Sequence, residues 1–206
     1  RSESEALVLV DGMSSVGGIP VEMDKHGIDV MITASQKALM APPGLTILAA
    51  SSRALKAASK QNVMRYYFDF LKMREEVLKG STTYTPAVST IYGLDAALFM
   101  IENEGLTNVY QRHQQLGKLL REGMVAMGLR CFAKQSFESP TVTNLILPDG
   151  FSATEVRSKL ESEYGVFISQ GRKPWNESML RMGHMGWVSE AHIQHLLNSV
   201  HSVLAQ

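Results

Sequence analysis

Val10–Gly44, VDGMSSVGGIPVEMDKHGIDVMITASQKALMAPPG, joins two short apolar runs that each end in a residue able to do chemistry. Ala6 to Val10 leads into Asp11-Gly12. Ile28 to Thr33 (IDVMIT) leads into ASQK, which sets Lys37 just past the run. A third run, Leu45 to Ala50, follows Pro42-Pro43-Gly44. Short continuous apolar runs bounded by turn residues predict strands buried on both faces. Three of them predict a mostly parallel or mixed sheet at the heart of an α/β domain. Open α/β sheets place ligands outside the carboxyl ends of their strands, so Asp11 and Lys37 stand where a ligand is expected.

The two residue types suit one kind of site. A lysine in an apolar setting has its amine pushed toward the neutral, nucleophilic form. That form makes a Schiff base with an aldehyde. A carboxylate on the neighbouring strand end keeps a pyridine nitrogen protonated, so that the ring can accept carbanion electrons. Raising that nitrogen's pKa by roughly two units takes about 2.7 kcal/mol. A close carboxylate supplies up to about 4 kcal/mol at an effective dielectric near 20. An acid and a lysine so arranged are what a pyridoxal-phosphate site needs.

Outward from this block, a helix is expected from Ser52 to Gln61. Ile91, Leu94, Leu98 and Ile101 predict a helix over 90–103, and a second is expected from Leu106 to Met127. After Gly128 the texture changes. Leu129–Ala133, Thr141–Leu147, Val166–Ser169 and Met179–Met182 read as strands, Ala153–Glu163 as a helix. Ser189 is a good N-cap for a closing helix through Leu204. This second half predicts a small α+β domain with an antiparallel sheet.

Twenty basic residues balance twenty acidic ones, so no net field favours nucleic acid or an anionic membrane. No apolar run reaches the roughly 18–20 residues that span a bilayer. The single cysteine, Cys131, excludes an internal disulfide framework and a multi-cysteine zinc site. It is compatible with a reducing cytoplasm, the location expected. No metal site is expected. The opening RSESEALVLV has no initiator Met and no basic n-region, and enters a strand after five residues. It is expected to be a piece of a longer chain.

The block VDGMSSVGG…DVMITASQKALMAPPG resembles class V aminotransferases of the alanine–glyoxylate, serine–pyruvate and serine–glyoxylate group, and the resemblance covers essentially the whole chain. It implies a fold-type I pyridoxal-phosphate transferase: residues 1–104 would be the C-terminal portion of the large domain, 105–206 the small C-terminal domain. It assigns Lys37 as the Schiff-base lysine and Asp11 as partner of the pyridine nitrogen. Met13 packs under the ring, and Gln36, just before the lysine, lies by the phosphate. STTYTPAVSTIY is similar to the loop that reaches a partner subunit's cofactor phosphate, which assigns Thr85 to that contact and implies a homodimer with a shared site. Some relatives carry a tyrosine where this sequence has Thr82. MLRMGHMG matches the strand whose arginine grips the substrate carboxylate, which assigns Arg181, and a guanidinium fork suits that task.

The implied reaction is transamination of alanine or serine with glyoxylate or pyruvate. The family's Gly-rich phosphate turn, ring-stacking aromatic or histidine, and Ser/Thr near the ring hydroxyl lie upstream of this stretch. The chain alone is therefore expected to be inactive. Other readings are a cysteine desulfurase or other lyase, a non-catalytic fragment, or an assembly subunit, since some members of the group are described as soluble hydrogenase subunits. A desulfurase needs a reactive thiol on a mobile loop. Cys131 lies in strand-like GLRCFA and reads as a small buried hydrophobe. His26 reads as a loop residue, and His184 as a structural neighbour of Arg181.

Overall fold

The computed structural model describes residues 6–61 and 63–206. They fall into two compact units, one of residues up to Val16 and Pro20–Met100, the other of Gly17–Ile19 and Ile101–Gln206.

The first unit is built on strands β1 (Leu9–Asp11), β2 (Val30–Ala34) and β3 (Thr46–Ala50), in the order β1-β2-β3. β1 runs parallel to β2, and β3 antiparallel to it, so the sheet is mixed. β2 is buried at every position but Ile32, which is half-buried, as its run of apolar residues predicts. The outer strands are not: Leu9 is 64% exposed and Leu48 44%. Only β2 has a neighbour on each side, and among the described residues no strand pairs with the free edges of β1 and β3.

Register in this sheet is pinned at one end by Asp29, a wholly buried acid just before β2. Its carboxylate accepts the Val8 amide N–H at 2.9 Å, the Ser51 hydroxyl at 2.9 Å and Arg53 Nε–H at 3.0 Å. The Arg53 guanidinium beside Asp29 holds its carboxyl well below the usual carboxylate range. One side chain thus ties the start of β1, the start of β2 and the end of β3. Ser51 also caps helix α1 (Ser52–Ser59) by accepting the Ala54 N–H.

A 3₁₀ turn, Tyr66–Phe68, and helix α2 (Phe70–Leu78) follow. Asp69 caps α2 through the Lys72 N–H. Neither element is among the helices expected from the sequence, although Phe70, Met73 and Val77 recur at helical spacing; no residue of α2 is fully buried. Helix α3 (Val88–Glu104) extends the expected helix by two residues at its start and one at its end. The division between the units falls inside it, after Met100.

The second unit packs α4 (Leu106–Ala126), α5 (Ala153–Tyr164) and α6 (Glu190–Leu204) on one face of an antiparallel sheet. Its strands are β4 (Arg130–Cys131), β5 (Val142–Ile146), β6 (Ser169–Gln170) and β7 (Met179–Gly183), in the order β4-β5-β7-β6. Leu145 and Leu180 are paired across β5 and β7 and wholly buried against Leu120, Met124 and Leu160. Burying each such side chain contributes roughly 1.5–3 kcal/mol. Gly117 lets α4 approach the sheet, since a Cβ there would meet His184 Cε1 at 2.7 Å. Ser152 caps α5 and Gly165 ends it in the left-handed region at φ 64°. No helix among the described residues is long and apolar enough to cross a membrane.

Candidate active site

Parallel pairing of β1 and β2 sets Asp11 opposite Ile32, so both strands end at the same edge of the sheet. Asp11 is the last residue of β1, and Lys37 lies three residues beyond the end of β2. The sequence folds this way because Gly12 starts a turn after one run and Ser35 starts a braced loop after the other.

Asp11 Oδ1 accepts the Met13 N–H at 2.9 Å, an Asx turn that orients the carboxylate and leaves it exposed. Met13 beside it is half-buried. Ser35 is wholly buried; its hydroxyl donates to the Pro42 carbonyl at 2.6 Å and accepts the Leu45 N–H at 3.3 Å. The Ala41 N–H returns to the Ser35 carbonyl at 3.0 Å, and the Met40 N–H to the Lys37 carbonyl at 3.0 Å. Met40 takes a positive φ of 63° within this loop. Lys37 therefore stands on a fixed backbone, half-buried, between exposed Gln36 and wholly buried Ala38. Its Nζ has no hydrogen bond or ion pair among the described residues. A free amine at one parallel strand end and a carboxylate at the next are the two groups a pyridoxal phosphate needs, so the residues present fit that cofactor.

Thr85 lies in the same unit, on the exposed segment before α3. The first turns of α3 pack on the loop after Lys37: a Cβ on Gly93 would sit 3.0 Å from Pro42 Cδ, and one on Gly44 would sit 3.6 Å from Thr90. The Thr85 hydroxyl makes no hydrogen bond among the described residues, so it does not cap α3. Its segment is braced by Tyr84, which stacks on Tyr67 at 5.1 Å and donates to the Tyr66 carbonyl at 3.3 Å. The hydroxyl of Thr82 is committed to the Tyr84 carbonyl at 2.7 Å.

Arg181 belongs to the second unit, at the middle of β7, exposed and without an acid partner among the described residues. The rest of its segment is anchored. His184 is wholly buried and shares a 2.9 Å hydrogen bond with Thr143 Oγ1. Burial, with the Arg121 and His113 charges nearby, pulls its pKa down to about 4. His113 Nε2 accepts the Gly186 N–H at 2.9 Å. Arg112 donates to the Gly186 carbonyl at 2.8 Å while paired with Glu104. His26 is an exposed loop residue whose ring meets the Glu22 carbonyl at 2.8 Å.

Cys131 is half-buried beside the core of the second unit, and burial pushes its thiol up, away from a reactive thiolate. No cluster of three metal-ligating side chains occurs among the described residues. The supports missed from sequence are Asp29 and Ser35. Asp29 had a signal, an acid inside an otherwise apolar run. The brace from Ser35 had none, since it rests on the path of the Pro42–Gly44 loop.

The sequence pattern of the family described as Aminotransferase class-V matches residues 1–194. A serine–glyoxylate aminotransferase of Arabidopsis thaliana is 36% identical over 201 residues, covering 97% of this chain and 50% of its own. An aminotransferase of Methanocaldococcus jannaschii is 37% identical over 206 residues, covering 98% of this chain and 53% of its own. A Synechococcus protein described as the small subunit of a soluble hydrogenase is 32% identical, over 100% of this chain and 53% of its own. The crystal structure of an alanine–glyoxylate aminotransferase from Nostoc superposes with a TM-score of 0.93 at 28% identity, covering 97% of this chain and 54% of that one. A cysteine desulfurase of Thermococcus onnurineus shares the fold alone, at 16% identity and a TM-score of 0.72. The chain spans about half the length of the curated relatives it matches. Its fold is that of the fold-type I pyridoxal-phosphate transferases. By the match over residues 1–194 and by these relatives, the chain belongs to the class-V aminotransferase family.

Proposed function

We propose that the protein carrying this chain is a pyridoxal 5′-phosphate-dependent aminotransferase that passes the amino group of alanine or serine to glyoxylate or pyruvate. The observation that carries this reading is the unpaired Lys37 amine and the Asp11 carboxylate at the ends of parallel neighbours β1 and β2. When bound, the cofactor supplies an electron sink for the pair left at the substrate α-carbon. Lys37 would hold its aldehyde carbon and Asp11 its ring nitrogen, with Met13 under the ring and Gln36 at the phosphate. The Lys37 amine, when not engaged with that aldehyde carbon, would be the base that takes the proton from the substrate α-carbon. The loop braced by Ser35 would fix the backbone from which that amine acts. Arg181, with no acid competing for its fork, binds the substrate carboxylate.

In this reading residues 1–104 belong to the large domain and residues 105–206 form the small one. The protein is a cytoplasmic homodimer in which Thr85 serves the partner's cofactor phosphate. Exposed Tyr92 and Phe99 on α3 and Phe68 before α2 support a second copy against this region. The test is transamination by the full-length protein. Alanine and glyoxylate should yield pyruvate and glycine in equal amounts. Release of sulfide from cysteine without amino transfer would replace this reading with a desulfurase.

A further inference from the structure

The helix-free face of the small sheet carries a row of uncommitted polar side chains centred on Arg181. Register places Asn144 of β5 on one side of Arg181 and Ser169 of β6 on the other. Directly opposed residues on neighbouring antiparallel strands point to the same face, with Cβ atoms roughly 5 Å apart. The alternation along β5 agrees: Thr143 and Leu145 are buried toward the helices, and Asn144 is not. On the helix side the polar groups are spent, as in the 2.9 Å contact of Thr143 Oγ1 with His184. On the open side the side chains of Asn144, Arg181 and Ser169 make no hydrogen bond among the described residues.

A carboxylate offers about four acceptor positions. A guanidinium fork fills two of them with parallel N–H bonds. The remaining two need donors on either side of the fork, and the row supplies an amide and a hydroxyl there. Both flanking groups are neutral, so neither ties up the guanidinium as an aspartate or glutamate would.

We propose that Asn144 and Ser169 complete the substrate carboxylate site, donating from the amide and the hydroxyl to the oxygens that Arg181 holds. This deepens the reading of Arg181 as the carboxylate ligand and rests on it. Asn144 and Ser169 then govern affinity for amino acid and 2-oxo acid alike, because both enter through the same carboxylate. They take no part in the proton transfer.

The test uses the full-length, cofactor-loaded protein and its variants Asn144→Ala, Ser169→Ala, Ser169→Thr, Asn144→Asp and Arg181→Ala. Two quantities are read: KM and kcat for alanine and glyoxylate, and competitive inhibition by propionate, which has the carboxylate and no amine. Losing one hydrogen bond to a charged oxygen should raise both KM values and the propionate Ki about tenfold, with kcat within twofold. Ser169→Thr keeps the hydroxyl and should stay within threefold of the parent. Asn144→Asp pairs the guanidinium with an acid and should weaken propionate binding about a hundredfold. If Asn144→Ala and Ser169→Ala leave KM and Ki within twofold while Arg181→Ala raises both fiftyfold or more, the row is idle and the role of Arg181 survives. If Arg181→Ala moves neither quantity, the carboxylate lies elsewhere and both statements fall. A loss confined to kcat overturns the inference as well.

Discussion

Asp11→Asn separates charge from shape at the candidate cofactor site. The asparagine keeps an Oδ1 acceptor for the Met13 N–H, bonded at 2.9 Å in the parent, so the turn after β1 should survive. What it loses is one negative charge. Two unit charges about 4 Å apart interact by about 4 kcal/mol at an effective dielectric near 20. Holding the ring nitrogen protonated through about two pKa units takes about 2.7 kcal/mol of that. The variant should therefore slow the amine-donating half-reaction by about 10² to 10³-fold, at roughly 1.4 kcal/mol per factor of ten. Because Asp11 is exposed and its other contacts persist, unfolding stability should change by less than about 0.5 kcal/mol. The assay is single-turnover absorbance of the full-length protein mixed with alanine, beside urea unfolding of both forms. A rate within threefold of the parent, with stability unchanged, would refute the reasoning, because the carboxylate would then be dispensable at the nitrogen. A large loss of stability would refute it from the other side, by making Asp11 a structural residue.

Two further outcomes concern the second unit. Leu180→Ala empties a wholly buried position facing Leu145 and should cost about 2.7–5 kcal/mol, read as a lower denaturant midpoint with the m-value unchanged. Acid should also weaken this unit through His184, whose folded pKa of about 4 lies below the ordinary 6.5. Between those values the unfolded chain binds a proton that the folded one refuses, so stability is full above pH 6.5 and falls as pH drops toward 4, by up to about 3 kcal/mol. Burial lowers the His113 pKa too and adds to the same trend. Denaturation midpoints of His184→Gln across pH 4–7 should show a shallower slope than the parent, and an equal slope would assign the acid sensitivity elsewhere.

The site-bearing half of the chain was legible because its chemistry is local. The runs ending at Asp11 and before Lys37 carry both the strand signal and the candidate residue, and the parallel pairing of β1 with β2 brings those strand ends side by side. Less could be read where long-range contacts decide. The apolar runs at Leu9 and Leu48 resemble that of β2, yet these residues are 64% and 44% exposed, because the composition of a run does not say what covers the faces of its strand. β6 begins at Ser169, where the expected strand ends, since pairing with β7 selects Ser169 and Gln170 and leaves Val166 to pack on the core. α2 carries Phe70, Met73 and Val77 at helical spacing, yet at nine residues it is too short for that stripe to stand out over a window of roughly 11–18 residues. The pairing of Asn144 and Ser169 with Arg181 needs strand order β5-β7-β6, which joins segments far apart in the chain.

The central claim is that Lys37 carries the cofactor, and borohydride reduction of the full-length protein tests it most directly. Reduction would fix pyridoxal phosphate to the lysine that holds it, and peptide mass mapping would locate the adduct. The account predicts loss of the visible absorbance and a single stable adduct on the peptide bearing ASQKAL, at Lys37. An adduct on another lysine, with Lys37 unmodified, would contradict it.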